Sequence, residues 1–122
     1  MSIGVLQNTM KMRRGERVRR TIKVTSAGAL KSWTGYTFQM HFRESEGAPA
    51  PVFALSSEDG ISVGGIDDTE ITFEISVTRT QAASPCRGVF DLRYWLQPDK
   101  SDAEFLIRGR FELEQAVSRD VG

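Results

Sequence analysis

The chain has 122 residues, of which 39% are apolar and 26% charged, and its formal net charge is zero. This length and composition fit one globular domain with one core, and the single cysteine, Cys86, excludes a disulfide framework or a cysteine-rich zinc site. Since no run approaches the roughly 18 apolar residues of a membrane span, and the start lacks a signal-peptide pattern, we expect neither a membrane partner nor secretion through a signal.

The N-terminal region carries the positive charge. Between positions 1 and 23 there are seven basic residues and one acidic residue, so this segment is +6 and the remainder is −6. A few apolar residues near the start precede the alternating region and have no evident place in a core. The sequence therefore predicts that residues 1–14 form an extended arm that lies on a neighbouring subunit. The predicted contact residues of this arm are Ile3, Val5, Leu6, Lys11, Arg13 and Arg14.

Beyond the arm, apolar and polar residues alternate in steps of two. The segments YTFQMHFR, EITFEISVT, GVFDLRYWLQ and EFLIRGRFELE show this pattern best, and it is typical of strands buried on one face. RVRRTIKVT, PVFALSS and ISV are weaker candidates, and RTQAAS is predicted to form one helical turn. Val18, Ile22, Val24 and Leu96 are expected to face inward. The predicted core comprises Phe38, Met40, Phe42, Ile71, Phe73, Ile75, Phe90, Leu92, Tyr94, Phe105, Ile107 and Phe111.

Turn-forming segments separate these strands at intervals of about ten residues, which is typical of an all-β sandwich. They include SEGAPAP, SEDG, GGIDD and SPCRG. The sequence therefore predicts an antiparallel β-sandwich of about seven strands over residues 15–117, followed by a short C-terminal tail, residues 118–122.

Residues able to carry chemistry are few. His41 is the only histidine and falls on the polar face of a strand, and Cys86 lies in a predicted turn without a second catalytic group nearby. The acidic residues Glu58, Asp59, Asp67, Asp68 and Glu70 lack the spacing of an EF-hand, and acids are common in turns. The sequence thus predicts that the protein is not an enzyme and has no cofactor or metal site.

Some apolar residues fall on the outer faces of the predicted strands. Alternation directs Val89 and Trp95 away from the core on one strand, and Leu106 on the last strand. An exposed tryptophan adds nothing to an isolated domain but is enriched at protein interfaces. These three residues are therefore predicted to contact a partner, although a covering loop that hides Trp95 within its own domain is an alternative.

The basic residues between positions 10 and 24 form two groups. Arg17, Arg19 and Lys23 alternate with inward positions and are predicted to be the solvated face of the first strand. Those before Gly15 lie outside the sheet and are candidates for an intermolecular contact. No aromatic residues interleave with them, as single-strand stacking requires, so a protein partner is favoured over nucleic acid. A nucleic-acid-binding arm stays open as an alternative.

Several of these segments, taken in order, resemble a family of small tailed-phage virion proteins. Arg14, Gly15 and Glu16 correspond to a basic residue, a glycine and an acid before the first strand. KSWTGYTFQMHFR and SSEDGIS resemble a strand entry and a turn of that family, and FLIRGRFELEQAVSR resembles its closing segment. The matching residues of the segment before it are Pro85, Gly88, Phe90, Asp91 and Leu92. The resemblance covers about residues 13–119.

The family is similar to the immunoglobulin-like N-terminal module of phage upper-baseplate proteins. The resemblance implies an immunoglobulin-like fold and a structural role in a virion, in several copies and in contact with other phage structural proteins. It supplies no catalytic residues. The leading hypothesis is a protein that docks in the tail, neck or baseplate, and joining fibres to it is one role that this hypothesis allows. A capsid decoration protein is the alternative, since the chain shows no long C-terminal extension of the baseplate type.

Overall fold

The computed structural model of the chain describes residues 6–96, 100 and 103–115, and these residues form ten strands and one short α-helix. A 3-10 turn, Ile66–Asp68, joins two of the strands. The elements in chain order are β1 (Leu6–Arg13), β2 (Val18–Ile22), β3 (Thr25–Ser26), β4 (Ala29–Leu30), β5 (Tyr36–Arg43), β6 (Phe53–Ser56), β7 (Ile61–Gly64), β8 (Glu70–Ile75), α1 (Val77–Ala82), β9 (Cys86–Leu96) and β10 (Glu104–Glu114).

Two sheets contain eight of these strands. The larger sheet has the order β1-β10-β9-β5-β6, and the smaller one has the order β2-β8-β7, while β3 and β4 form a separate small hairpin. The buried side chains of both sheets form one hydrophobic cluster. The structure is therefore a β-sandwich, and the predicted all-β fold class is confirmed.

The strand order is that of an immunoglobulin-like domain. β2, β8 and β7 occupy the places of strands B, E and D, and β10, β9, β5 and β6 those of G, F, C and C′. The prediction of a purely antiparallel sandwich is wrong at one edge, because β1 pairs with β10 in parallel. This pairing adds a fifth strand to the larger sheet beyond the strands that the sequence predicted.

The core is built mainly from the alternating strands. All twelve predicted core residues except Phe105 are buried, and so are Val18 and Val24. Trp33, which was not assigned to the core, is fully buried and contacts Tyr36, Phe38 and Tyr94 edge to face, with ring centroids 5.2–5.5 Å apart. Leu96 was expected to face inward but is 53% exposed at the end of β9.

A β-bulge in β10 reverses two predictions. The pairing with β9 shifts between Phe105 and Ile107, so that Leu106 is an extra residue in the strand. Leu106 is consequently fully buried, and its predicted place at an outer interface is wrong. Phe105, predicted to lie in the core, is half-buried opposite Arg93 on the outer face.

The predicted arm is wrong for residues 6–13, because these form β1 within the chain's own sheet. Met10 and Met12 of this strand belong to the core, while Lys11 and Arg13 are exposed. The domain therefore begins before Gly15, at or before Leu6. The physical reason is that the backbone of β1 satisfies its hydrogen bonds along the edge of β10, while two methionines bury apolar surface.

Arg14 follows β1 and makes its contacts within the chain. Its guanidinium donates hydrogen bonds to the carbonyl oxygen of Gln81 at 2.7 Å and to Oε1 of Gln115 at 3.0 Å. The hydroxyl of Thr80, on α1, donates to the carbonyl oxygen of Glu16 at 2.7 Å. This segment is thus fixed to α1 by hydrogen bonds within the chain. Ile3, Val5 and the tail 118–122 lie outside the described residues.

Candidate functional site

The outer face of the larger sheet carries an open groove of about 510 Å³, which we call the arginine groove. Its walls come from three neighbouring strands and from the turn after β5. The side chains that define it are His41, Arg43, Glu46, Val89, Asp91, Arg108 and Arg110.

The pairing of β5, β9 and β10 explains why these side chains meet. Asp91 pairs with His41 on one side and with Arg108 on the other, and this row crosses all three strands. The next row on the same face is Arg43, Val89 and Arg110. Because alternate residues of a strand point to the same face, both rows line one surface.

Gly88 brings β9 close to the end of β5. A Cβ atom on this residue would lie 1.9 Å from the carbonyl oxygen of Arg43, so the two backbones approach too closely for any side chain. The resemblance to the phage family includes this glycine, but the sequence offered no structural reason for it. In the structure it allows the row of Arg43 and Val89 to form.

Contacts with the surrounding protein orient two of the arginines. Arg43 donates to the carbonyl oxygen of Ala48 at 2.8 Å and to Nδ1 of His41 at 3.2 Å. The guanidinium of Arg108 stacks over the ring of Phe105 at 4.8 Å and lies 3.5 Å from a carboxylate oxygen of Glu46. Both side chains of this ion pair are largely exposed, so Glu46 competes only weakly with another anion for Arg108.

His41 is neutral in this arrangement. A guanidinium can only donate, so Nδ1 accepts the hydrogen bond from Arg43 and the ring proton is on Nε2. Burial, followed by the charge of Arg43, lowers the pKa of His41 below its ordinary value. The sequence prediction placed this histidine on the correct face of the strand, but the structure shows it half-buried and hydrogen-bonded.

Asp91 is a half-buried carboxylate in the middle of the groove. Burial raises the pKa of its carboxyl, although the charges of Arg93 and other basic neighbours act in the opposite direction. Within the described part of the chain, it has no salt bridge within 4.0 Å and no side-chain hydrogen bond. The arginines therefore surround Asp91 without being neutralised by direct contact with it.

The groove has the chemistry of an oxyanion-binding surface. Arg43, Arg108 and Arg110 face two carboxylates, those of Asp91 and Glu46, which leaves an excess of positive charge. Among the described residues, Arg110 is exposed and forms no salt bridge. Guanidinium groups bind carboxylates and phosphates through paired hydrogen bonds. In the described ranges, no three His, Cys, Asp or Glu side chains come together as metal ligands.

The predicted interface residues are divided by the structure. Val89 lines the arginine groove, and Trp95 lies half-buried on the same face with the ammonium of Lys100 5.4 Å from its ring centroid. Leu106 points into the core, Lys11 and Arg13 are exposed on β1, and Arg14 donates a hydrogen bond to the carbonyl oxygen of Gln81. The sequence missed the groove itself, although alternation already directed His41, Asp91 and Arg108 outward.

The remaining candidates have local roles. Cys86 begins β9 and is half-buried, and burial followed by the charge of Glu44 raises the pKa of its thiol. Asp59 forms a close ion pair with Arg79, and Asp68 accepts a hydrogen bond from the hydroxyl of Thr34 at 2.8 Å. In the described ranges, neither helical segment is long and apolar enough to cross a membrane.

No family model and no curated protein matches the chain. Two similar solved structures are the extracellular domain of the voltage-gated sodium channel beta4 subunit, described as a parallel homodimer in cell-cell adhesion, and a family 123 glycoside hydrolase from Clostridium perfringens. The first is 9% identical over 96% of this chain and 98% of that chain, with a TM-score of 0.43. The second is 10% identical over 96% of this chain and 24% of that chain, with a TM-score of 0.37. Similarity at this level says nothing about what this chain binds.

Proposed function

We propose that the chain is a non-catalytic structural protein of a bacteriophage virion, located in the tail, neck or baseplate, and that it docks onto a partner protein through the arginine groove. The single observation that carries the docking role is the excess of guanidinium groups on an open face of the larger sheet. The resemblance to phage baseplate modules supports the virion location. The predicted N-terminal arm no longer supports it, because residues 6–13 are part of the domain.

The composition of the groove favours the carboxylates of a protein over nucleic acid. A nucleic-acid strand would bring a run of phosphates past Asp91 and Glu46, which would repel them. A single acidic side chain of a partner protein, by contrast, can bind through the local excess of positive charge at Arg108 and Arg110. The chain as a whole also has zero net charge, whereas nucleic-acid binders commonly have a clear basic excess.

Apolar side chains on the same face extend the proposed docking surface. Trp95 and Phe105 are half-buried next to Arg93 and Arg108, where a partner can cover their exposed parts. Aromatic residues and arginines are the residue types enriched at the centres of protein interfaces. The proposed contact therefore combines a charged groove with an adjacent aromatic surface.

The docking role is tested by reversing the charge of the groove. The variant Arg108→Glu/Arg110→Glu is expected to fold normally, because both side chains are exposed, but to be lost from purified phage particles. Incorporation is measured by quantitative mass spectrometry of gradient-purified particles from cells that supply the variant chain. The matched control is Lys23→Glu, an exposed charge reversal next to the smaller sheet, which should be incorporated normally.

Two outcomes contradict the proposal in different ways. Normal incorporation of the folded double variant excludes the arginine groove as the docking surface. Absence of the wild-type chain from purified particles excludes the virion role. The copy number in the same measurement separates a tail or baseplate protein from a decoration protein, which would be present in far larger numbers.

A further inference from the structure

The turn between β7 and β8 presents an exposed knob at one end of the sandwich. Ile66 is 83% exposed there, and the neighbouring Asp67 is also exposed. The backbone of Asp67 and Asp68 is left-handed, with φ angles of 56° and 55°, a conformation that is uncommon outside glycine and is tolerated best by aspartate and asparagine. The knob, defined as Ile66 and Asp67, thus protrudes from a turn with an uncommon backbone conformation.

Contacts with the segment before β5 hold this turn rigidly. The backbone N–H of Trp33 donates to the carbonyl oxygen of Asp68 at 2.9 Å, and the hydroxyl of Thr34 donates to its carboxylate at 2.8 Å. Trp33 is fully buried, so the turn is anchored to the core. Since these hydrogen bonds order the turn while Ile66 stays exposed, the knob is preorganised for contact outside the domain.

The knob belongs to a turn of the smaller sheet and the arginine groove to the larger sheet, and they lie towards opposite ends of β5. The knob is anchored just before the first residue of β5, whereas the groove uses His41 and Arg43 near its last residue. Arg43 lies seven residue steps after Tyr36 along the extended strand, a distance of about 23 Å at roughly 3.3 Å per step. A knob therefore cannot reach the groove of its own chain.

We propose that copies of this chain associate head to tail, with the knob of one copy docking into the arginine groove of the next. The carboxylate of Asp67 would bind Arg108 and Arg110, and Ile66 would pack beside Val89. The inference deepens the proposed function and rests on it, because it takes the groove to be a docking site for protein carboxylates and names a second copy as the partner.

Charge complementarity within a single sequence supports a second copy as the occupant. The groove has an excess of arginines, while the knob carries a carboxylate beside an apolar side chain. A contact between two different surfaces leaves a free groove on one copy and a free knob on the other. Such a contact closes into a ring or extends into a filament, depending on the rotation between copies.

The isolated wild-type chain is expected to self-associate as its concentration rises, in low salt more than in high salt. Sedimentation velocity measures the distribution of species. Asp67→Arg and Arg110→Asp should each abolish assembly beyond a monomer, and Asp67→Asn, which keeps the preference for a left-handed turn, should weaken it by about ten- to a hundredfold. The controls are Glu58→Arg and Lys23→Asp, exposed charge reversals elsewhere that should associate like the wild type.

A mixing experiment tests the head-to-tail geometry. The Asp67→Arg chain keeps an intact groove and the Arg110→Asp chain keeps an intact knob, so a mixture of the two should form a 1:1 complex that grows no further. The chain carrying both substitutions should assemble again, because the two charges are exchanged. A two-fold symmetric contact between identical surfaces would not produce a terminated heterodimer.

A wild-type chain that stays monomeric at every concentration overturns the proposal, and so do single variants that assemble like the wild type. Retention of single-stranded DNA that is lost on Arg110→Asp would assign the groove to nucleic acid and contradict it as well. If the wild type is monomeric but groove variants are lost from particles, the docking function stands and only the second copy is excluded as the partner.

Discussion

The two faces of the larger sheet come from alternate residues of the same strands, but they differ in how many of their side chains find a partner within the chain. On the inner face, Phe42 packs against Phe53, Phe90 and Phe111 with ring centroids 5.3–5.7 Å apart. On the outer face, one residue away in each strand, arginines surround Asp91 without contacting it. The inner face is satisfied within the chain, whereas the outer face retains donors for another molecule.

The strongest test of the inner face is removal of β1. Deletion of residues 1–13 takes away two buried methionines and exposes the backbone of β10, so a loss of at least about 4 kcal/mol in unfolding free energy is expected. Urea denaturation followed by tryptophan fluorescence measures it. The control Lys11→Ala/Arg13→Ala changes exposed residues of the same strand and should shift the unfolding free energy by only about 0.5 kcal/mol or less. An unchanged midpoint after the deletion would restore the arm hypothesis.

Adjacent residues of β5 compare the two faces directly. Phe42→Ala should cost about 3–5 kcal/mol of stability because it leaves a cavity between the three aromatic rings that Phe42 contacts. His41→Ala, on the outer face, removes a neutral ring and one hydrogen bond, with an expected cost of about 1 kcal/mol or less. Chemical denaturation of both variants provides the comparison. Equal losses would mean that the outer face is as tightly packed as the inner one.

The bulge in β10 is tested by comparing one substitution on the inner face, at Leu106, with one on the outer face, at Trp95 of β9. Leu106→Ala is expected to cost about 2–5 kcal/mol, because the bulge turns this side chain into the core. Trp95→Ala removes a larger side chain that is only half-buried, and its cost in the isolated domain should be smaller. Thermal unfolding ranks the two variants. The reverse order would place Leu106 on the outer face, as simple alternation predicts.

The smallest expected effect concerns Asp91. Burial raises the pKa of its carboxyl, so the folded protein holds this proton more tightly than the unfolded chain, and ionisation of Asp91 destabilises the fold as the pH rises through that pKa. Asp91→Asn should therefore be more stable than the wild type at pH 7. The difference should shrink as the pH falls through the raised pKa of Asp91 and be lost below about 4, the ordinary pKa of aspartate.

Unfolding free energies of the wild type and Asp91→Asn between pH 3 and pH 8 provide the measurement. Glu58→Gln, an exposed substitution in the turn between β6 and β7, is the control for the removal of one surface carboxylate. A variant that is less stable than the wild type at pH 7 would show that attraction from the arginines outweighs the cost of burying Asp91.

Sequence periodicity was sufficient for the strands that alternate without interruption. β5, β8 and β9 each bury every second residue over most of their length, and their core residues were predicted individually. This succeeds because the direction of a side chain in a strand depends on local backbone geometry alone. The turn between β7 and β8 was likewise predicted, from its two glycines and two aspartates.

β1 and the bulge could not be predicted in the same way. The segment LQNTMKMR is rich in polar and basic residues, and its assignment depends on an edge of β10 that lies about a hundred positions later in the chain. In β10, three consecutive apolar residues, Phe105, Leu106 and Ile107, are compatible with either register. The pairing with β9 decided which of them entered the core.

The sequence by itself determined the fold class, most of the core and the outward direction of His41, Asp91 and Arg108, since these follow from alternation within each strand separately. Only the tertiary structure decided that these residues are neighbours, that Arg14 is used within the domain and that β1 belongs to the sheet. Alternation is a property of consecutive residues. Pairing brings together segments that are distant in the chain, and it is settled by the burial and hydrogen bonding of the whole sandwich.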